Sequence, residues 1–302
     1  MNDRATEHKI ILVKRKTRLE ELVVRYNTVQ QAKFTIERLG ADFSDYLAED
    51  GHYHKAAGET LAELAAFGRV QVIEREYLPN FIFGADDIIV VLGQDGLVAN
   101  TLKYVTEQPV IGVNPDPLRW DGILLPFTVK DLRLILPEVL HRRRSIKEVT
   151  LAKAELNDGQ TLYGVNDLFI GRKTHVSARY QLTLDHRTEQ QSSSGVIVST
   201  GMGATGWFKS ILAGASGIVS GATKQQVAID PERNGLWPGT RHICISQSES
   251  HSPAERPPPG LCSDRSGLTA RCASHHRCRR TALFSATAWK ATFWNSTPAS
   301  RR

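Results

Sequence analysis

The chain has 302 residues, 41% hydrophobic and 23% charged, with a formal net charge of +6. That length holds two domains at the usual size of roughly 100–200 residues. Residues 234–302 carry ten Lys/Arg against Glu249, Glu255 and Asp264, or +7, which leaves −1 for residues 1–233. The basic character belongs to the tail alone and argues against a nucleic-acid or membrane partner.

All four cysteines (Cys244, Cys262, Cys272, Cys278) fall in the same tail with no Cys-x-x-Cys pair, a poor spacing for zinc. Met1–Lys9 is polar and lacks the apolar core of a signal peptide. No apolar run reaches the roughly 18–20 residues that span a bilayer, so a cytoplasmic protein is expected.

Taken in chain order, Lys9–Val13 reads as a buried strand and Thr17–Leu39 as one amphipathic helix. Gly58–Phe67 reads as a helix, Val70–Ile73 and Ile88–Leu92 as strands, Leu97–Val105 as a helix and Pro109–Val113 as a strand. Apolar strands alternating with helices imply a parallel sheet covered on both faces. Ligands of such sheets lie beyond the carboxyl ends of the strands, where Gly93–Gly96 and Gly112–Asp116 fall.

After the basic joint His141–Arg144 the pattern changes. Ser145–Ala154, Thr161–Val165, His175–Leu184 and Val196–Ser199 read as strands between polar turns. The loop Thr200–Trp207 leads into a short helix through Leu212. The expected fold class is α/β then β: an α/β domain over residues 1–144, a mostly antiparallel β domain over 145–233, and an irregular tail over 234–302.

Three motifs carry chemistry. In Leu92-Gly93-Gln94-Asp95-Gly96, two glycines at a strand end let backbone N–H groups approach phosphate oxygens. An acid in such a turn meets phosphates only by holding Mg²⁺ or by taking a proton from an attacking hydroxyl. In Gly164-Val165-Asn166-Asp167 the amide and carboxylate suit ribose hydroxyls or a base edge. Ser199–Trp207 has glycines at 201, 203 and 206 with Thr200 and Thr205, and Trp207 offers a stacking face. Each alone also reads as an ordinary turn. No Gly-x-x-x-x-Gly-Lys-Ser/Thr P-loop occurs.

In their order and separation the three together resemble the NAD kinases, which have a Gly-Gly-Asp-Gly loop, then Asn-Glu, then Ser-Thr-x-Thr-Gly-Ser-Thr-Ala-Tyr. The likeness spans roughly Lys9–Ser216 and is nearest to the bacterial NAD-kinase-like ("sugar kinase") branch related to the mitochondrial enzyme, whose Gly-Val-Asn-Thr-Asp-Pro is similar to Gly112-Val-Asn114-Pro-Asp116-Pro. The resemblance implies a Mg²⁺-dependent transfer from ATP to the 2′-hydroxyl of NAD, giving NADP, by a homodimer. It casts Asp95 as the catalytic acid/base. Gly93, Gln94 and Gly96 would lie against phosphates, with Asn114 among the binding residues. Asn166 and Asp167 would hold ribose and adenine, and Thr200, Gly203, Thr205, Gly206, Trp207 and Ser210 would contact the dinucleotide.

The chain departs from the family pattern at several points. Gln94 replaces a glycine, at a backbone cost of roughly 1–2 kcal/mol if that position needs a positive φ. Leu97, Met202 and Ala204 replace hydroxyl residues, and Asp167 is one methylene shorter than Glu. These changes motivate a second function, a catalytically inactive nucleotide-binding protein. A third is a related kinase acting on a lipid or sugar hydroxyl.

The tail has a further reading. When each codon is read from its third base, Trp289–Lys290 must give Glu, Phe293–Trp294 Leu and Trp294–Asn295 Glu. Phe284–Ala299 and Ser246–Arg256 then permit segments similar to the family's own. Residues from roughly 222–234 onward accordingly read as an out-of-frame translation, or else as a disordered tail.

Overall fold

The computed structural model describes residues 6–174, 176–184, 187–203 and 206–227, together with the backbone of five later strands. Two compact units result, one of Met1–Lys147 with Ala291–Arg302, the other of Glu148–Lys290.

The first unit begins with β1 (Lys9–Lys14), α1 (Arg18–Tyr26), α2 (Val29–Arg38), α3 (Ser44–Phe67) and β2 (Arg69–Glu74). It continues with β3 (Ile88–Leu92), α4 (Asp95–Thr101), β4 (Val110–Asn114), β5 (Phe127–Thr128) and α5 (Leu132–Leu140). The strands form a parallel sheet in which β1 lies between β2 and β3, and β4 lies between β3 and β5. Side chains alternate across each strand, so Ile10, Leu12, Val90, Leu92, Ile111 and Val113 share one core, closed by Tyr53 and Leu64 of α3 and by Leu132 and Ile135 of α5. On α3, Glu49, Tyr53, Ala56, Thr60 and Leu64 are buried at steps of three and four, which is one helical face.

The single helix expected over Thr17–Leu39 is two. Asn27 turns left-handed at φ 66° and ends α1, and the Thr28 hydroxyl then accepts from Gln31 N and starts α2. The helix expected over Gly58–Phe67 is the last part of the longer α3, and α4 begins at Asp95 rather than Leu97.

The second unit contains β6 (Arg144–Leu156, which starts in the joint), β7 (Thr161–Gly164), β8 (Asp167–Gly171), β9 (Ala178–Leu184), β10 (Arg187–Ser193), β11 (Gly195–Ser199) and α6 (Trp207–Thr223). Pairing is antiparallel between β6 and β7, β9 and β10, and β8 and β11. Ala152, Tyr180 and Leu182 meet Leu168, Val196 and Val198 in its core. The helix expected to end at Leu212 runs on to Thr223.

Five stretches of the tail are described as strands: β12 (Ile243–Ser248), β13 (Leu261–Ser263), β14 (Leu268–Cys272), β15 (Thr281–Phe284) and β16 (Trp289–Pro298). β12 pairs β11, β14 pairs β9, β15 pairs β6, and Phe293 of β16 pairs Val110 of β4. The expected irregularity falls for the most part on residues outside those described, and Cys278 is among these.

Candidate active site

In the first unit the site is built on the carboxyl ends of β3 and β4. All five residues of β3 are buried, and Gly93 N then donates to the Val113 carbonyl at 3.3 Å. A Cβ on Gly93 would lie 2.8 Å from Leu97 Cδ2. Leu97 is buried, so the residue standing at the expected hydroxyl position packs beneath the turn. Gln94 has φ −106° and ψ 164°, an extended conformation open to any residue. The backbone cost foreseen for Gln94 under a positive φ therefore does not arise. Gly96 is exposed, and a Cβ there would meet nothing within 4 Å.

Asp95 is half-buried, and its Oδ1 accepts from Leu124 N at 2.6 Å. Its other oxygen has no partner among the described residues. Leu124 closes the loop after β4, where a Cβ on Gly112 would come within 2.0 Å of its carbonyl oxygen. Asn114 is 5% exposed and fastens the start of that loop. Its Nδ2 donates to the Trp120 carbonyl at 2.9 Å and its Oδ1 accepts from Asp116 N at 3.0 Å. The structure thus commits the Asn114 side chain to its own loop.

A charged network at the same edge escaped sequence reasoning. Arg15 and Arg18 bind the buried Glu49 at 2.6 and 2.5 Å, and Arg18 and Arg119 bind Asp45 at 2.6 and 2.5 Å. Burial pushes the Glu49 carboxyl up, but the two guanidinium groups outweigh it and leave the value lowered. Arg119 and Arg18 hold Asp45 well below the usual carboxylate range. Tyr53 OH accepts from Arg15 N and donates to the Leu92 carbonyl, both at 2.9 Å. Burial pushes its pKa up to about 12, so it remains a donor to the residue just before Gly93. These partners lie far apart in sequence, and only the ends of parallel strands bring them together. Among the described residues, Glu20, Asp50 and His54 also lie within 4.8 Å of one another. Glu20 and Asp50 are engaged there by Thr17 N and Thr17 Oγ1 at the start of α1.

The second unit gathers the other predicted residues. Thr200 is fully buried; its hydroxyl donates to the Val165 carbonyl and accepts from Gly203 N, while its own N–H donates to the Asn166 carbonyl at 2.9 Å. The turn after β11 is thereby stitched to the turn before β8. A Cβ on Gly203 would collide with Asn166 O and Ser199 Oγ at 2.3 Å and with Asp167 Oδ1 at 2.6 Å, so only glycine fits. Met202 is buried.

Asn166 is exposed and Asp167 half-buried. Asp167 Oδ1 is buried without a hydrogen-bond partner, a costly state that a bound donor would relieve. Burial pushes the Asp167 pKa up, and the nearby Ser199 hydroxyl, which itself donates to the Thr200 carbonyl, opposes the shift only in part. Gly206 and Ser210 are exposed, and Trp207 opens α6 with its ring 5.8 Å from that of Phe169. Phe169 was not anticipated, because one aromatic on a strand gives no signal until its partner is known. His175, Ala204 and Thr205 lie outside the described residues.

No family model matches the chain. An NAD kinase of Clostridium kluyveri is 27% identical over 129 residues, 40% of this chain and 44% of that protein. An NAD kinase of Chlorobium phaeobacteroides is 27% identical over 126 residues, 40% of this chain and 43% of that protein. The match thus spans less than half the length of these curated relatives. A yeast NADH kinase crystallised with NADH shares the fold, with a TM-score of 0.53 and 14% identity over 97% of this chain and 84% of that one. Among the described residues no helix is long and apolar enough to cross a membrane. The chain is thus similar in sequence to part of these curated NAD kinases and shares its fold with the NADH kinase.

Proposed function

We propose that the chain transfers the γ-phosphoryl group of ATP to the 2′-hydroxyl of NAD, giving NADP. The observation that carries this reading is the Asp95 carboxylate, with one oxygen tied to Leu124 N–H and the other left without a partner. A carboxylate oriented in this way at a strand end suits a general base that takes the proton of the attacking hydroxyl. The exposed, unobstructed Gly96 leaves its backbone open to phosphate oxygens. Mg²⁺ would be held chiefly by the substrate phosphates and would neutralise charge on the transferred group, leaving the open oxygen of Asp95 to take the proton.

In the second unit, the orphaned Asp167 oxygen supports a ribose hydroxyl as the missing donor, and Asn166 beside it adds both a donor and an acceptor. Homodimerisation and a cytoplasmic location belong to the same proposal and rest on the family resemblance.

NADP formation from NAD, ATP and Mg²⁺ tests the reading, with this chain assayed beside one whose tail is restored to the third-base frame. Product from either chain supports it. A restored chain that folds and binds NAD without turnover would leave nucleotide binding as the function.

A further inference from the structure

We propose that Phe169 is a base-recognising residue, forming with Trp207 an aromatic wall for a purine one pleat away from the Asp167 carboxylate. The inference rests on the second unit being the dinucleotide-binding part, and it adds a residue that none of the sequence motifs contains.

Strand β8 sends Leu168 and Ile170 into the core and Asp167, Phe169 and Gly171 to the opposite face. Ser199, Ile197 and Gly195 of β11 stand opposite these three. Two glycines make room for the Phe169 ring. A Cβ on Gly171 would lie 2.6 Å from its Cζ, and one on Gly195 would lie 2.7 Å from its Cε2. Gly195 also has φ +150°, a conformation other residues rarely adopt. The two glycines thus leave room for the ring beside Ile197.

The ring is nevertheless not sealed into a core. Phe169 is 47% exposed and Trp207 48% exposed, with the rings tilted by 50°. Two half-exposed rings, one of them on the strand face that carries Asp167, offer a stacking surface for a base. Residues two apart on a strand are separated by about 6.6 Å, comparable to the span from a ribose diol to its base. A nucleoside whose hydroxyls meet Asp167 Oδ1 would therefore bring its base against Phe169 and Trp207.

The test is calorimetric binding of NAD, AMP and CMP to the full chain and to its Phe169→Leu and Phe169→Tyr variants. Leu fills similar space without a π face, and Tyr restores one, so a folding defect is separated from a lost stack. Phe169→Leu should bind AMP and NAD about 10-fold to 100-fold more weakly, the range typical of base stacking. It should also lose most of the preference for AMP over CMP, and Phe169→Tyr should recover both. Parent-like affinity and selectivity in Phe169→Leu would overturn the role of Phe169 while leaving the dinucleotide reading intact. A parent chain that binds neither NAD nor AMP would overturn both.

Discussion

Leu124 N donates a 2.6 Å hydrogen bond to Asp95 Oδ1, which joins the turn after β3 to the loop after β4. The bond needs only an acceptor, so Asp95→Asn should keep it through its amide oxygen and lose under about 1 kcal/mol of stability. Asp95→Ala strands the Leu124 N–H and should cost roughly 1–3 kcal/mol. Urea denaturation of both variants checks this. Equal losses would mean that charge, rather than the hydrogen bond, holds the loop.

Glycines 96 and 112 should separate ligand demand from fold demand. Gly96 lies in α4 with open space around it, so Gly96→Ala should stabilise the fold by up to about 1 kcal/mol. If its backbone meets phosphate, the same change should raise the KM for ATP by about tenfold, equivalent to roughly 1.4 kcal/mol. Gly112→Ala instead drives a Cβ against the Leu124 carbonyl and should destabilise by about 1–3 kcal/mol or more. An unchanged KM in the folded Gly96→Ala variant would remove Gly96 from the phosphate site.

Asp167 should give stability and binding opposite pH dependences. Burial raises its folded pKa above the ordinary 3.8, so the folded chain keeps this proton to higher pH than the unfolded chain does. Its contribution to stability is then full below the ordinary value and is lost as pH rises through the folded one. Asp167→Asn should remove that slope and be the more stable form at neutral pH. NAD binding needs the ionised acceptor and should weaken as pH falls through the same raised value. Denaturation and NAD titration across the acid range, parent against variant, check both signs; parallel slopes in parent and variant would refute the assignment.

The tail makes a prediction at the level of DNA. Sequencing the coding region should reveal an open frame, displaced to the third codon base from roughly residue 222–234 onward and free of stop codons. Stop codons in that frame would end the idea.

How much of this was legible in the sequence depends on the range of the signal. Ile88–Leu92 was readable because five consecutive apolar residues are all buried. The break at Asn27 was not, since apolar residues continue on both sides of it; its local mark was an Asn in front of a capping Thr. Strand β10, Arg-Thr-Glu-Gln-Gln-Ser-Ser, shows no apolar alternation and is held by full pairing to β9. The glycine turns announced themselves as motifs, but their functions differ. Gly93 and Gly203 make room for neighbouring protein atoms, whereas Gly96 makes room for none. Asn114 was expected among the binding residues; that its side chain fastens a loop was not legible, because hydrogen-bond partners such as Trp120 O are fixed only by the fold.

The role proposed for Asp95 is on the reacting hydroxyl rather than in binding. The most direct measurement compares NAD affinity and the rate of NADP formation in the parent and in Asp95→Asn. NAD binding should stay within about twofold of the parent while turnover falls about 10²–10⁴-fold, the usual contribution of a general base. Turnover equal to the parent's, or a loss of NAD binding that accounts for the whole effect, would contradict it.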